Sequence, residues 1–160
     1  PDVLTFTTGV LDADVTLAGS LVADLMVSIS STDADFVVKL IDVYPDIDTK
    51  NKLMSGYELP VAMEVLRGRF RKTLEKPVPL TPNKPEEFII DLHDINHTFL
   101  KGHRLMIQVQ STWFPIIDRN PQKYIPSIFE AKEADFIKAT QTIYCNNQYA
   151  TYIELPVIKD

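Results

Sequence analysis

"LVADLMVSISSTDADFVVKLIDVY", residues 21–44, decides how this chain folds. In its first half Leu21, Ala23, Leu25, Val27 and Ile29 are apolar at every second position, with Asp24, Ser28 and Ser30 between them. Side chains along a strand point alternately to opposite faces, so a period of two describes a strand with one face in a core and one in solvent. In the second half, residues 36–44 are apolar on both faces. That suits a strand covered on both sides and stopped at Pro45, which has no N–H to give a ladder.

Outward from this stretch the same period recurs. Across 65–72, Leu66, Gly68 and Phe70 alternate with Arg67, Arg69 and Arg71; further strands read at 88–92, 105–109 and 152–158, and 59–65 is ambiguous. Segments rich in proline and polar residues, 45–48 and 77–85, separate them as turns. Only 127–136 reads as helical. Ser127 precedes Glu130 at capping-box spacing, and 131–136 supplies one or two turns. Many short strands with one short helix predict an all-β antiparallel β-sandwich of jelly-roll type, a single domain over residues 1–160. Its expected core includes Leu25, Val27, Leu40, Phe70, Leu105, Ile107 and Val109.

Composition narrows the function classes. At 160 residues, 45% apolar and 24% charged, the chain can bury a core without staples. A net charge of -6 with no basic cluster argues against nucleic acid, whose phosphates need a local excess of Lys and Arg. No apolar run is long enough for a membrane-spanning helix, and no membrane role is expected. Cys145 is the one cysteine, so an internal disulfide and a cysteine metal cluster are excluded. A chain that opens on Pro1 reads as a segment excised from a longer protein.

The usual catalytic signatures are missing. There is no G-x-S-x-G elbow, no H-E-x-x-H, and five glycines leave little for a phosphate loop. His93, His97 and His103 are the best metal candidates, yet their surroundings at 94–96 read as a turn, and turn or capping roles are expected instead. Cys145 has no assignable base and reads as a partly buried small apolar group rather than a nucleophile. No catalytic, metal or cofactor residue is therefore assigned.

Two features remain. Arg67, Arg69 and Arg71 form a row at intervals of two, either a solvated face or a positive stripe that meets an acidic surface. In "STWFPIIDRNPQKYIP", residues 111–126, a strand runs into Trp113, Phe114 and Pro115, followed by Asp118, Arg119 and Asn120. This reads either as a packed corner or as a docking surface. Trp113, Phe114, Asp118, Arg119, Asn120 and the three row arginines are thus the candidate interface or loop-staple residues. A guanidinium suits a carboxylate partner, and Asp33 or Asp35 is the expected partner of Arg119, unless Asp118 orients it.

The ordered set of motifs resembles a known family. "PDVLTFTTGVLDADVTLAGSLVADLMVSISSTDADFVVKLIDVYPD", "VLRGRFR", "INHTFLKGHRLMIQVQSTWFPIIDRNPQ" and the final "QTIY" and "YIELPVI" are similar, in this order, to the C-terminal domain of X-Pro dipeptidyl-peptidases and cocaine-esterase-like acyl hydrolases. Glutaryl acylases and α-amino acid ester hydrolases belong to the same group. Cys145, where a histidine is expected, and His93, where a tryptophan is expected, depart from its pattern. The resemblance implies a galactose-binding-like jelly roll whose catalytic triad lies on a preceding α/β-hydrolase domain. It makes this chain a non-catalytic accessory domain that packs on that partner, helps shape its substrate site, and meets peptide or acyl-ester substrate only through the parent. A free-standing carbohydrate-binding jelly roll is the alternative, with Trp113, Tyr124, Tyr149 and Tyr152 as its aromatic platform.

Overall fold

A computed structural model describes residues 3–159. Eight strands follow one another: β1 (Val3–Thr7), β2 (Val15–Ile29), β3 (Asp35–Val43), β4 (Glu58–Arg67), β5 (Glu86–Phe99), β6 (Arg104–Gln110), β7 (Gln141–Ile143) and β8 (Tyr152–Glu154). One sheet has the order β1-β6-β3-β4; the other has β5-β2-β7, with β8 also paired to β2. Every pairing is antiparallel. The chain changes sheet at each connection except β3–β4 and β7–β8, which is the wrapping of a jelly roll.

The alternation in residues 21–29 is realised as read. Leu21, Ala23, Leu25, Val27 and Ile29 are all buried between the sheets. In β3 the even positions Phe36, Val38 and Leu40 join the same core, while Ile41 and Val43 bury the opposite face with Met106. The Phe36 and Phe88 rings meet edge to face at 4.9 Å and join the two sheets. Of the expected core, Leu25, Val27, Leu40, Leu105 and Val109 are buried. Ile107 is only partly buried against the core, and Phe70 lies in an outer cleft.

β5 runs straight through residues 94–96, where the sequence reads as a turn. Ser20 pairs with Asp94 and Val22 with Asp91, so β5 carries one extra residue opposite Leu21. His93 occupies this bulge with a left-handed φ of 67°, and its N–H donates to Asp91 Oδ1. The extra residue shifts the strand's phase. Phe88, Ile90 and Leu92 face inward before it, and Ile95 and Phe99 after it. The same shift turns His97 inward, where Nε2 donates to Asp42 Oδ2 at 2.9 Å. His103 Nδ1 donates to the other carboxylate oxygen at 2.7 Å. Asp42, from β3, thus joins the two sheets through His97 and holds the β5–β6 turn through His103.

The segment 127–136 forms two separate 3-10 turns, Ile128–Glu130 and Glu133–Asp135, instead of a short α-helix. Ser127 contributes no side-chain cap, and Ala131 returns to extended geometry between them. A helix of one or two turns is marginal in water without a packed apolar face, and Phe129 is 86% exposed.

Candidate docking surface

The arginine row does not lie on a strand face. β4 ends at Arg67, and Gly68–Phe70 forms a 3-10 turn. The cause is Gly68, whose N–H donates to Ala34 O at 2.7 Å. A Cβ there would sit 2.7 Å from that oxygen and 2.9 Å from Leu80 Cδ1, so only glycine lets the chain press this close. The turn sends Arg69 inward, to 4% exposure. Its Nε donates to Asp33 Oδ2 at 2.9 Å, Nη2 donates to the same oxygen, and Nη1 donates to Ile125 O at 2.8 Å. Its guanidinium also stacks over Tyr124, 4.7 Å from the ring centroid. Arg71 Nε donates to Glu86 Oε2 at 2.8 Å, and Arg67 Nε lies 3.3 Å from Asp35 Oδ1. Each arginine has its own carboxylate, which overturns both the solvated face and the free positive stripe.

Asp33 and Asp35 are the carboxylates of a loop staple, but Arg119 is not their partner. Asp33 holds Arg69. Asp35 accepts Asn120 Nδ2 at 2.7 Å as well as facing Arg67. Arg119 is exposed and stacks instead over Phe136 at 5.2 Å, while Asp118 stays on the surface. Burial pushes the Asp35 carboxyl up to about 6, against the lowering pull of Arg67 and the Asn120 hydrogen bond. Tyr124 N donates to Thr32 Oγ1 at 2.9 Å, so the 31–35 turn grips the loop directly at Asn120 and Tyr124, and at Ile125 through Arg69.

Above this staple projects an apolar corner. β6 ends at Gln110, and the Phe114–Pro115 peptide is cis. The N–H groups of Ile116 and Ile117 both donate to Trp113 O, closing a tight turn. Trp113 folds back on the outer face of its sheet, with Lys39 Nζ 5.4 Å from its ring centroid. Phe114 and Ile116 instead point outward, 65% and 68% exposed. Ile117 enters a 330 Å³ cleft walled by Val65, Phe70 and Leu74, and Leu74 is itself 79% exposed. Ile117, Phe70 and Leu74 therefore share one cleft, and the exposed Phe114 and Ile116 belong to the turn that delivers Ile117 to it. Sequence reasoning missed Phe70 and Leu74 in this role. Their signals were Gly68, which breaks the strand, and a lone leucine among the charged residues of 71–76.

The aromatic platform is not assembled. Trp113 lies on the outer face of one sheet, and Tyr152, beside Asp24, on the outer face of the other. Tyr124 lies under Arg69, and Tyr149 packs on Tyr144. His93 is hydrogen-bonded to Glu64, and no group of three His, Cys, Asp or Glu side chains suits a metal among the described residues. Cys145 is exposed instead of partly buried, because it follows the end of β7 at Ile143, and no hydroxyl or thiol among the described residues hydrogen-bonds to an imidazole.

Fold and site together define a jelly-roll β-sandwich with a stapled apolar corner. Residues 1–154 match the X-Pro dipeptidyl-peptidase C-terminal non-catalytic domain, and the chain belongs to that family. It is 35% identical over 158 residues to the cocaine esterase of Rhodococcus sp. (strain MB1 Bresler), covering 99% of this chain and 26% of that protein. A solved α-amino acid ester hydrolase is 51% identical, with a TM-score of 0.95, over 99% of this chain and 26% of its own. An aminopeptidase from a marine sediment archaeon (Thaumarchaeota archaeon) is 44% identical, also with a TM-score of 0.95 and the same coverage. The chain thus spans about a quarter of the length of these relatives.

Proposed function

We propose that this chain is the accessory domain of a serine hydrolase, of X-Pro dipeptidyl-peptidase or acyl-esterase and acylase type. Its apolar corner packs on the parent's α/β-hydrolase domain and helps shape the substrate site there. One observation carries the reading: Phe114 and Ile116 are largely exposed on a loop whose base is fixed by buried ion pairs. Apolar side chains held rigidly in water gain by burial and lose little conformational freedom on docking. The relatives named as an esterase, an ester hydrolase and an aminopeptidase support a parent that cleaves esters or amides at an acyl carbon; glutaryl acylases extend the same chemistry. Peptide or acyl-ester substrate meets the domain only through that parent.

Hydrogen exchange on the isolated chain and on the full parent enzyme tests this. Amides of residues 70–74 and 113–117 should be protected in the parent relative to the isolated chain. Equal exchange at both segments refutes the docking assignment. The isolated chain should leave p-nitrophenyl acetate intact.

A further inference from the structure

One sheet has four strands, whereas the other has only β7 and β8 beyond β2, so the sandwich is open under β1. Leu4 pairs with Val109 and Phe6 with Ile107. Directly opposed residues share a face, and Val109 is core, so Leu4 and Phe6 face the space between the sheets. They are nonetheless 47% and 48% exposed. Below Leu4 lies a cleft of 580 Å³ whose walls are the core residues Phe36 and Val109 together with Ile143. Sites for small ligands are commonly about 300–1,000 Å³, mostly apolar, with a few polar groups that fix orientation.

The rim supplies such groups. Ser111 and Thr140 border the opening, and the Gln141 amide is held by a 2.9 Å hydrogen bond from its Nε2 to Gln122 Oε1. Lys138 is the one charged residue of the lining. Among the described residues it forms no ion pair, in a chain of net charge -6 whose other row of cations is fully matched to carboxylates. No carboxylate borders the cleft, so an anion entering it meets no repulsion from the lining. No tryptophan or tyrosine borders it either, which removes the stacking surface a sugar would use.

We infer that this cleft binds a carboxylate with an apolar body, an aryl or acyl acid whose hydrocarbon lies against Phe36, Val109 and Ile143 while its carboxylate pairs with Lys138. A free small acid and the C-terminus of a peptide present the same chemistry. The site stands without the docking assignment, because it uses neither the exposed side chains of the corner nor a partner domain.

The test is a titration of the isotope-labelled chain with sodium phenylacetate, followed by amide NMR shifts. Saturable shifts should appear at Ser111, Gln122, Thr140 and Gln141. Phenylacetamide and acetate should each bind at least about tenfold more weakly, as loss of a charge-assisted contact or of the apolar body requires. Lys138→Gln, an exposed substitution that leaves the fold intact, should weaken phenylacetate to the same extent. Filling the cleft with Ala139→Trp should abolish the shifts. Acetyl-Gly-Gly-Phe binding more tightly than phenylacetate identifies a chain terminus as the natural source, and the reverse identifies a free acid; either supports the shared chemistry. Absence of saturable binding overturns the inference. So does equal affinity for phenylacetate and phenylacetamide, unchanged affinity in Lys138→Gln, or shifts confined to another face.

Discussion

Replacing Arg69 by methionine removes the cation of the staple while keeping much of its volume. Asp33 is fully buried, so its carboxylate keeps only the Ala34 N–H and is left without a countercharge in a site closed to water. Breaking a buried ion pair from one side costs about 3–5 kcal/mol, because the remaining charge keeps its desolvation penalty. The loss of the donor to Ile125 O and of the stack on Tyr124 falls within the same range and is not added to it. Against a total stability of roughly 5–15 kcal/mol for a domain, this is a large fraction. At about 2–4 °C per kcal/mol for a domain of this size, the melting temperature should fall by about 6–20 °C. The partner substitution distinguishes charge from packing. Asp33→Leu combined with Arg69→Met removes both charges, and the double variant should regain most of the stability, since apolar groups of similar volume often replace a buried pair at little cost. Urea unfolding followed by fluorescence of Trp113, the single tryptophan, and by circular dichroism gives the four stabilities of the cycle. A coupling energy below about 0.5 kcal/mol, or a double variant no more stable than Arg69→Met, refutes the assignment of the staple.

Two further outcomes follow from the same region. The Asp35 carboxyl is pushed up to about 6 from 3.8, so its ionisation opposes folding: a stabilising contribution present below the unfolded value is lost as pH rises through about 6. Relative to Asp35→Asn, the wild-type chain should lose up to roughly 3 kcal/mol between pH 4 and pH 7. Urea midpoints across that window decide it, and a difference that is flat or grows with pH contradicts the burial argument. Gly68→Ala should cost about 1–3 kcal/mol, because the new methyl meets the Ala34 carbonyl and Leu80 and the turn must move. A neutral result in the same unfolding assay would show that the close approach is not required.

The sequence was most legible where local pattern and tertiary role coincide. The period of two in residues 21–29 and the two-faced apolar run of 36–44, interrupted only by Lys39 and Asp42, both correspond directly to β2 and β3. β1 alternates Leu4 and Phe6 with Thr5 and Thr7, but over only five residues, a pattern too short to stand out from the neighbouring loop. β5 was read short because its bulge reverses the inward parity beyond His93, and a pattern matched at fixed phase loses it. The arginine row failed for a related reason: alternation was carried through Gly68, where the backbone leaves strand geometry to reach the core. Asp33 and Asp35 were identifiable as staple carboxylates, but their partners were not. Arg69, Arg67 and Asn120 come from distant parts of the chain, and only the packing of β4 and the 111–126 loop on the 31–35 turn selects them over Arg119.

The bulge at His93 acts as a dislocation does in a crystal, one extra unit that shifts the lattice beyond it by half a repeat. Everything downstream in β5 is keyed to that offset, including the imidazole that meets Asp42. Removing that one residue would close the bulge and leave Ile95, His97 and Phe99 facing inward in their present register with β2, whereas removing two would turn them toward water and their polar neighbours toward the core. Length variation among relatives along this strand should therefore be confined to the single bulge residue, and be unrestricted within the loops that flank it.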